Sequence, residues 1–320
     1  MIRFIFALVL GLLGSTFVWI AAPLNRYYLN NGLVSDSYFP EIAVLVMLFL
    51  ILVVNPLLKL FSRKNLFIDR RQLALIFAML LLACTIPTQG LLRAFPYSLA
   101  KTTQTSARSA QLAELHQEMD LPPSLFPDRI SYGEETPNAT HMLERLPEGA
   151  SIPWSDWVPP LLSWGALFVA AWLLMIGLGM IVYPQWRDNE RLPFPILHLE
   201  QGLIGDITAE KRIPAIFKDK LFWCGAGLVL FIYGLRGLNA LTDNAWPSFP
   251  LGWNLSDALS EEPWRHLPGR VKHVGKLYFM LIGITYFMPN RVSFSIWFTT
   301  LAYGVFQMLN TTYAPPFDSA

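Results

Sequence analysis

The chain has 320 residues, 53% of them hydrophobic, and a mean hydropathy of +0.39. This composition is too apolar for an ordinary soluble domain and too often interrupted by polar loops for a single anchor, so it indicates a polytopic membrane protein with the lipid bilayer as its partner. The formal net charge of +1 argues against a nucleic-acid partner, because the lysines and arginines lie at the ends of apolar stretches and form no basic stripe.

Seven apolar stretches follow one another along the chain. Five are long enough to cross a bilayer, since about 17 to 25 apolar residues in a helix match its ~30 Å hydrocarbon layer. They are residues 4–22, 42–58, 73–92, 158–182 and 221–241. The last two, 277–288 and 292–309, lie close together and the first is short, so we expect a helical hairpin or a re-entrant element there. The sequence therefore predicts an all-α transmembrane bundle of about six to seven membrane segments.

The first stretch has features of a secretory signal peptide, with Arg3 before it and small residues at its end. Pro23 argues against cleavage, and the apolar run exceeds the roughly 7 to 15 residues of a signal sequence. We expect an uncleaved first span.

Lysine and arginine predict the orientation, because short loops rich in them are retained on the cytoplasmic side. Loops 59–71 and 184–220 are rich in these residues, whereas loop 23–41 holds Arg26 alone. The pattern predicts a cytoplasmic N-terminus. Residues 265–276 carry basic residues on the side predicted to be outside, so either an element there is re-entrant or the rule fails locally.

A polar segment, residues 96–157, separates the first three spans (1–95) from the later ones (158–320). It holds nine acidic residues against four basic ones, and Leu112, Leu115 and Met119 keep helical spacing within it. We expect an extracytoplasmic cap, with a substrate-capture domain as the alternative.

The later part contains two further predicted segments. Residues 184–220 are expected to be a cytoplasmic loop. Residues 242–276 are rich in tryptophan and proline, a composition typical of the membrane interface.

Polar groups inside the spans are the best candidates for a substrate path, because such groups are costly in lipid unless they face protein or water. Pro87 interrupts the third span and frees the carbonyl of Ala83, and Thr85, Thr88 and Gln89 are placed to supply its partner or to leave it open to a ligand. The alternative is an ordinary proline kink with a snorkelling arginine. The full candidate set is Thr85, Pro87, Thr88, Gln89, Arg93, Arg236 and Asn239.

Catalytic and metal motifs are not found in the sequence. No two histidines have the i, i+4 spacing of metal ligands, and the two cysteines, Cys84 and Cys224, lie inside predicted spans. His198 and Glu200 fall on residues 196–204, which resemble an interfacial amphipathic helix. We therefore expect no enzyme, no cofactor and no metal.

Several local motifs together resemble a bacterial family of uncharacterised multi-span proteins related to the oligopeptide transporter superfamily. The motifs are VNPLLKLF from Val54, TIPTQGLLRAF from Thr85, IPWSDWVPPLLSW from Ile152, YPQWRDNERLPFPI from Tyr183 and FMPNRVSFSIWF from Phe287. The resemblance implies a secondary-transporter fold in a bacterial inner membrane. Such families generally have longer chains, so it also implies an N-terminal portion of a longer protein, or a half-transporter that forms a homo-oligomer.

Three function classes follow from these features. A secondary transporter of the oligopeptide-transporter type, with a peptide or metal-chelate substrate by analogy, is the first. The alternatives are a structural subunit of a membrane complex and a membrane-embedded enzyme.

Overall fold

The structure of the protein is a computed structural model that describes residues 2–37, 39–61, 67–192, 194–205, 207, 213–242, 245–247, 249–272 and 277–313. Every regular element in these residues is helical, which confirms the predicted all-α class. The α-helices are α1 Ile2–Pro23, α2 Glu41–Phe49, α3 Asn55–Phe61, α4 Arg70–Cys84, α5 Phe95–Arg108, α6 Ala110–Glu118, α7 Pro137–Leu143, α8 Trp154–Pro184, α9 Pro195–Ile204, α10 Lys220–Leu241, α11 Gly269–Lys272, α12 Phe279–Tyr286 and α13 Asn290–Tyr313.

Six helical segments are long and apolar enough to cross a membrane, as expected for a multi-pass membrane protein. They are Arg3–Tyr28, Glu41–Leu58, Arg70–Arg108, Trp154–Asn189, Lys220–Leu241 and Asn290–Tyr313. Several include π-helical turns that extend the α-helices, such as Leu24–Tyr28 after α1 and Leu50–Val54 between α2 and α3.

The short seventh stretch forms α12, a helix of eight residues. At 1.5 Å per residue it is about 12 Å long, too short to cross the hydrocarbon layer. A turn then leads directly into α13. The helical hairpin, or the re-entry of this element into the membrane, stays a prediction.

The chain forms two compact units. The first comprises Met1–Val54 and Arg71–Leu192, and the second Asn55–Arg70 and Pro193–Ala320.

In the first unit α1 packs along α4. The Gln72 amide donates to the carbonyl of Arg3 at 2.6 Å, and Trp19 donates to that of Ala83. Gly11 and Gly14 let the two helices approach, because a Cβ at either position would overlap Met79 or Leu80.

The helix of the third span extends beyond its predicted end at residue 92. After an interruption it continues as α5 to Arg108, through residues that the sequence analysis assigned to the polar segment. Pro96 is compatible with this, because it lies in the first turn of α5, where a helix needs no backbone N–H donor.

The rest of the polar segment folds as a cap on α5 and on the beginning of α8. Ala100, Ala139 and Trp157 form its small core. Asp128 accepts hydrogen bonds from the backbone N–H groups of Asn138 and Ala139, which lie in the first turn of α7. The cap is therefore held by both apolar packing and polar contacts.

In the second unit, Asn55 is fully buried and both ends of its amide pair with the backbone of Ile68, at 3.2 and 2.8 Å. Helix α9 packs on α12, where the rings of His198 and Phe287 stack. Asp219 caps the N-terminus of α10 through the N–H of Leu221.

Candidate functional site

The third span is interrupted, not merely kinked, at its proline. Helix α4 ends at Cys84, residues 85–88 are non-helical, and a π-helical turn, Gln89–Ala94, leads into α5. Pro87 is fully buried at the centre of the break. The N–H of Thr88 turns back to the carbonyl of Ile86 at 2.8 Å, so the backbone departs from the helical path immediately after the proline.

The carbonyl that Pro87 deprives of its helical donor is that of Ala83. The indole N–H of Trp19, on α1, donates to it at 3.0 Å, and the N–H of Ile86 lies at 3.3 Å. The expectation that Thr85, Thr88 or Gln89 supplies this partner is therefore wrong, because a tryptophan from a neighbouring helix occupies the position.

Thr88 starts the second half of the span. Its hydroxyl oxygen accepts a hydrogen bond from the N–H of Leu91 at 3.1 Å, the usual role of an N-cap threonine. Thr85 instead donates its hydroxyl proton to the carbonyl of Leu82 at 2.6 Å. Each threonine thus completes one side of the break.

The loop between α1 and α2 packs against the break. The buried hydroxyl of Ser35 donates to the carbonyl of Pro87 at 2.5 Å. The Oδ2 atom of Asp36 accepts from the backbone N–H of Gln89 at 3.2 Å. A carboxylate from a loop therefore lies beside an interrupted membrane helix.

Two cavities flank the break, and Thr85 and Thr88 line both. The first, of about 570 Å³, is also lined by Asp36, Leu81 and Cys84. The second, of about 490 Å³, is bounded by apolar and small side chains, including Leu91, Phe95, Phe168 and Trp172. The threonines are thus accessible from two sides of the span.

The break borders residues of two apolar stretches. Trp19 belongs to the stretch 4–22, and Phe168 and Trp172 belong to the stretch 158–182. Polar backbone within an apolar span is tolerated where it is buried in protein or lines a cavity.

The predicted site residues fall into two groups. Thr85, Pro87, Thr88 and Gln89 come together at the break, and Arg93 follows with an exposed side chain on the next turn. Arg236 and Asn239 lie on α10, in the second unit; Arg236 is exposed and the Asn239 amide donates to the carbonyl of Trp246.

Three site residues were missed by the sequence analysis: Trp19, Ser35 and Asp36. Each contacts a residue more than 50 positions away in the sequence. Trp19 fits an ordinary apolar span and the other two fit an ordinary loop, so no local signal marks them.

The other two titratable residues named in the sequence analysis, His198 and Glu200, lie on α9. His198 stacks on Phe287, and burial raises the pKa of the Glu200 carboxyl above its usual value. Within the described part of the chain, no three His, Cys, Asp or Glu side chains are grouped as they would be to hold a metal ion.

Comparison with known proteins gives a match to one family. Residues 1–316 match the family described as "Family of unknown function (DUF6785)". No curated protein and no solved structure matches this chain.

Proposed function

The chain belongs to the DUF6785 family, and from that premise we propose that it is the membrane-embedded part of a secondary transporter. The observation that supports this proposal best is the break at residues 85–88 with its two flanking cavities. Discontinuous helices of this kind form substrate and ion sites in many transporters, because their unpaired backbone groups are available to ligands at membrane depth.

The substrate class that we propose is a peptide or a metal chelate. It rests on the motif resemblance to the oligopeptide transporter superfamily, and that kinship is itself part of the proposal. The mixed character of the cavities fits a small amphipathic solute, since hydroxyls and a carboxylate lie on one side of the break and aromatic rings on the other.

The orientation that we propose has the N-terminus in the cytoplasm of a bacterial cell and the cap outside its inner membrane. The basic loops 59–71 and 184–220 support it.

Uptake into proteoliposomes tests the transport function. Vesicles that contain the purified protein are exposed to a mixture of short peptides and metal chelates, and the accumulated solutes are identified by mass spectrometry. We expect one solute class to accumulate above protein-free vesicles, and Thr88→Val to reduce its uptake to background. Thr300→Val on α13 is the matched control, because the Thr300 hydroxyl donates to the Ile296 carbonyl of its own helix. Failure of any solute to accumulate would contradict the proposal.

A structural subunit is the second candidate, and the uncovered surfaces of two spans favour it. In both Trp154–Asn189 and Lys220–Leu241, none of the most apolar window is buried. Lipid covers such surfaces, but so does a partner protein. Native mass spectrometry of the protein extracted from its own membrane distinguishes the two: a stoichiometric protein partner together with absent uptake would favour a subunit.

A further inference from the structure

We propose that the cavity beside Asp36 is a binding site for an alkali cation, and that this cation is the coupling ion of the transporter. The binding is argued from the geometry of the break. The coupling role rests on the proposed transport function.

The first argument concerns the carbonyl groups at the end of α4. The last four carbonyls of a helix, here those of Leu81 to Cys84, lack intrahelical donors. Leu82 accepts from the N–H and hydroxyl of Thr85, and Ala83 accepts from Trp19 and Ile86. The carbonyl of Cys84 accepts no hydrogen bond from the residues that the structure describes.

Cys84 lines the cavity that also holds Asp36. The break explains its free carbonyl, because Thr88, four residues later, gives its N–H to Ile86 instead. The indole of Trp19 and the hydroxyl of Thr85 donate to the carbonyls of Ala83 and Leu82. An unpaired backbone acceptor therefore belongs to a residue that lines the cavity.

The second argument concerns charge. Asp36 is the one ionisable acid among the residues that line this cavity, and no lysine or arginine of the described chain lines it with Asp36. Its Oδ2 accepts one N–H, and its Oδ1 accepts no hydrogen bond within the described residues. The negative end of the α4 dipole adds to the field.

The third argument concerns the hydroxyls. Ser35 and Thr85 each donate their hydroxyl proton to a backbone carbonyl. Toward any other group, their hydroxyl oxygens can therefore act only as acceptors. Carboxylate, carbonyl and hydroxyl oxygens are the ligands of hard cations. A single carboxylate balances a single charge, which favours an alkali ion over a divalent one.

Thermal unfolding of the full chain in lipid nanodiscs tests the binding without a substrate. Sodium chloride is titrated against choline chloride at constant ionic strength, with potassium chloride as a parallel series. A ligand that binds the native state raises the unfolding midpoint saturably, so we expect Na⁺ or K⁺ to raise it above choline. Asp36→Asn should raise the half-saturating concentration roughly tenfold or more, because a charged ligand is lost.

Two further variants complete the test. Glu118→Gln removes an exposed carboxylate of α6 that does not line this cavity, and it should leave the half-saturating concentration unchanged. Pro87→Ala restores a backbone N–H at the break and allows α4 to continue, so that it should abolish the cation effect even if Asp36→Asn does not fold.

Equal midpoints in sodium, potassium and choline would overturn the site. An equal response of Asp36→Asn and Glu118→Gln would reduce it to a general charge effect and overturn it as well. A cation-specific shift in a protein that transports no solute would uphold the site and contradict the coupling role, whereas cation-independent uptake without a shift would uphold transport alone.

Discussion

At the scale of single residues, the indole of Trp19 stabilises the interrupted helix. Pro87 removes the donor that the carbonyl of Ala83 would have in a regular helix, and an unpaired carbonyl is costly where no water reaches it. The partly exposed Trp19 donates to this carbonyl from α1. The break is thus sustained by a contact between two spans.

We predict that Trp19→Phe lowers the free energy of unfolding by roughly 1 kcal/mol, the usual size of a hydrogen bond inside a membrane protein. Trp172→Phe is the matched control, because it makes the same substitution at a ring that also lies near the break but whose indole donates to no acceptor in the described chain. Reversible unfolding in mixed detergent measures both. Equal effects of the two changes would mean that lost ring volume, and not the hydrogen bond, decides the stability.

The sequence indicates the position of the break but not what completes it. Pro87 acts on its own helix, so its local effect can be predicted from the residues around it. Trp19 and Asp36 reach the break from 64 and 53 positions away, and such pairings depend on how helices and loops pack. The predicted partners, Thr85 and Thr88, instead serve as a helix end and an N-cap.

At the scale of elements, the third span consists of two helical halves with separate ends. Helix α4 ends at Cys84, whose carbonyl is unpaired within the described residues, and Thr88 caps the π-helical turn that leads into α5. The sequence predicts one span that ends at residue 92, because Pro96 and the polar residues after it are typical of a loop. In the structure, the packing of α5 against α7 and α8 extends the helix to Arg108.

The stability of the cap depends on the hydrogen bonds that Asp128 accepts at the N-terminus of α7. We predict that Asp128→Ala destabilises α7 by about 1 kcal/mol, because two backbone N–H groups in its first turn lose their acceptor. Hydrogen exchange should become faster at Asn138 and Ala139. Glu134→Ala, an exposed acid in the same loop, is the control. Unchanged exchange in Asp128→Ala would show that apolar packing alone holds α7.

At the scale of the whole molecule, apolar length determines the architecture, and this is the part that the sequence predicts best. All five long stretches lie within helical segments long and apolar enough to cross a membrane, the third of them with its break, and the last stretch forms a sixth. The short stretch before it forms α12, as its length suggests. The division into two compact units does not follow from the sequence, because it depends on contacts between distant helices.

Labelling from the two sides of the membrane tests the orientation. In a protein with Cys84→Ala and Cys224→Ser, we predict that Ser131→Cys in the cap reacts with an impermeant thiol reagent from outside the cell. Glu190→Cys, just after the helical segment Trp154–Asn189, should react only in inverted vesicles. Labelling of Ser131→Cys from the cytoplasmic side would reverse the whole topology.

The break itself can be tested most directly by its exposure to water, which requires no knowledge of the substrate. In the same cysteine-free protein, Thr85→Cys is placed at one of the two residues that line both cavities, and Leu174→Cys on the exposed apolar surface of α8 serves as the control in lipid. A thiol reacts as its thiolate, which forms in water and not in hydrocarbon. We predict that a charged methanethiosulfonate modifies Thr85→Cys and leaves Leu174→Cys unmodified. Protection of both cysteines from the charged reagent, with reaction of both after unfolding, would contradict a solute path at the break.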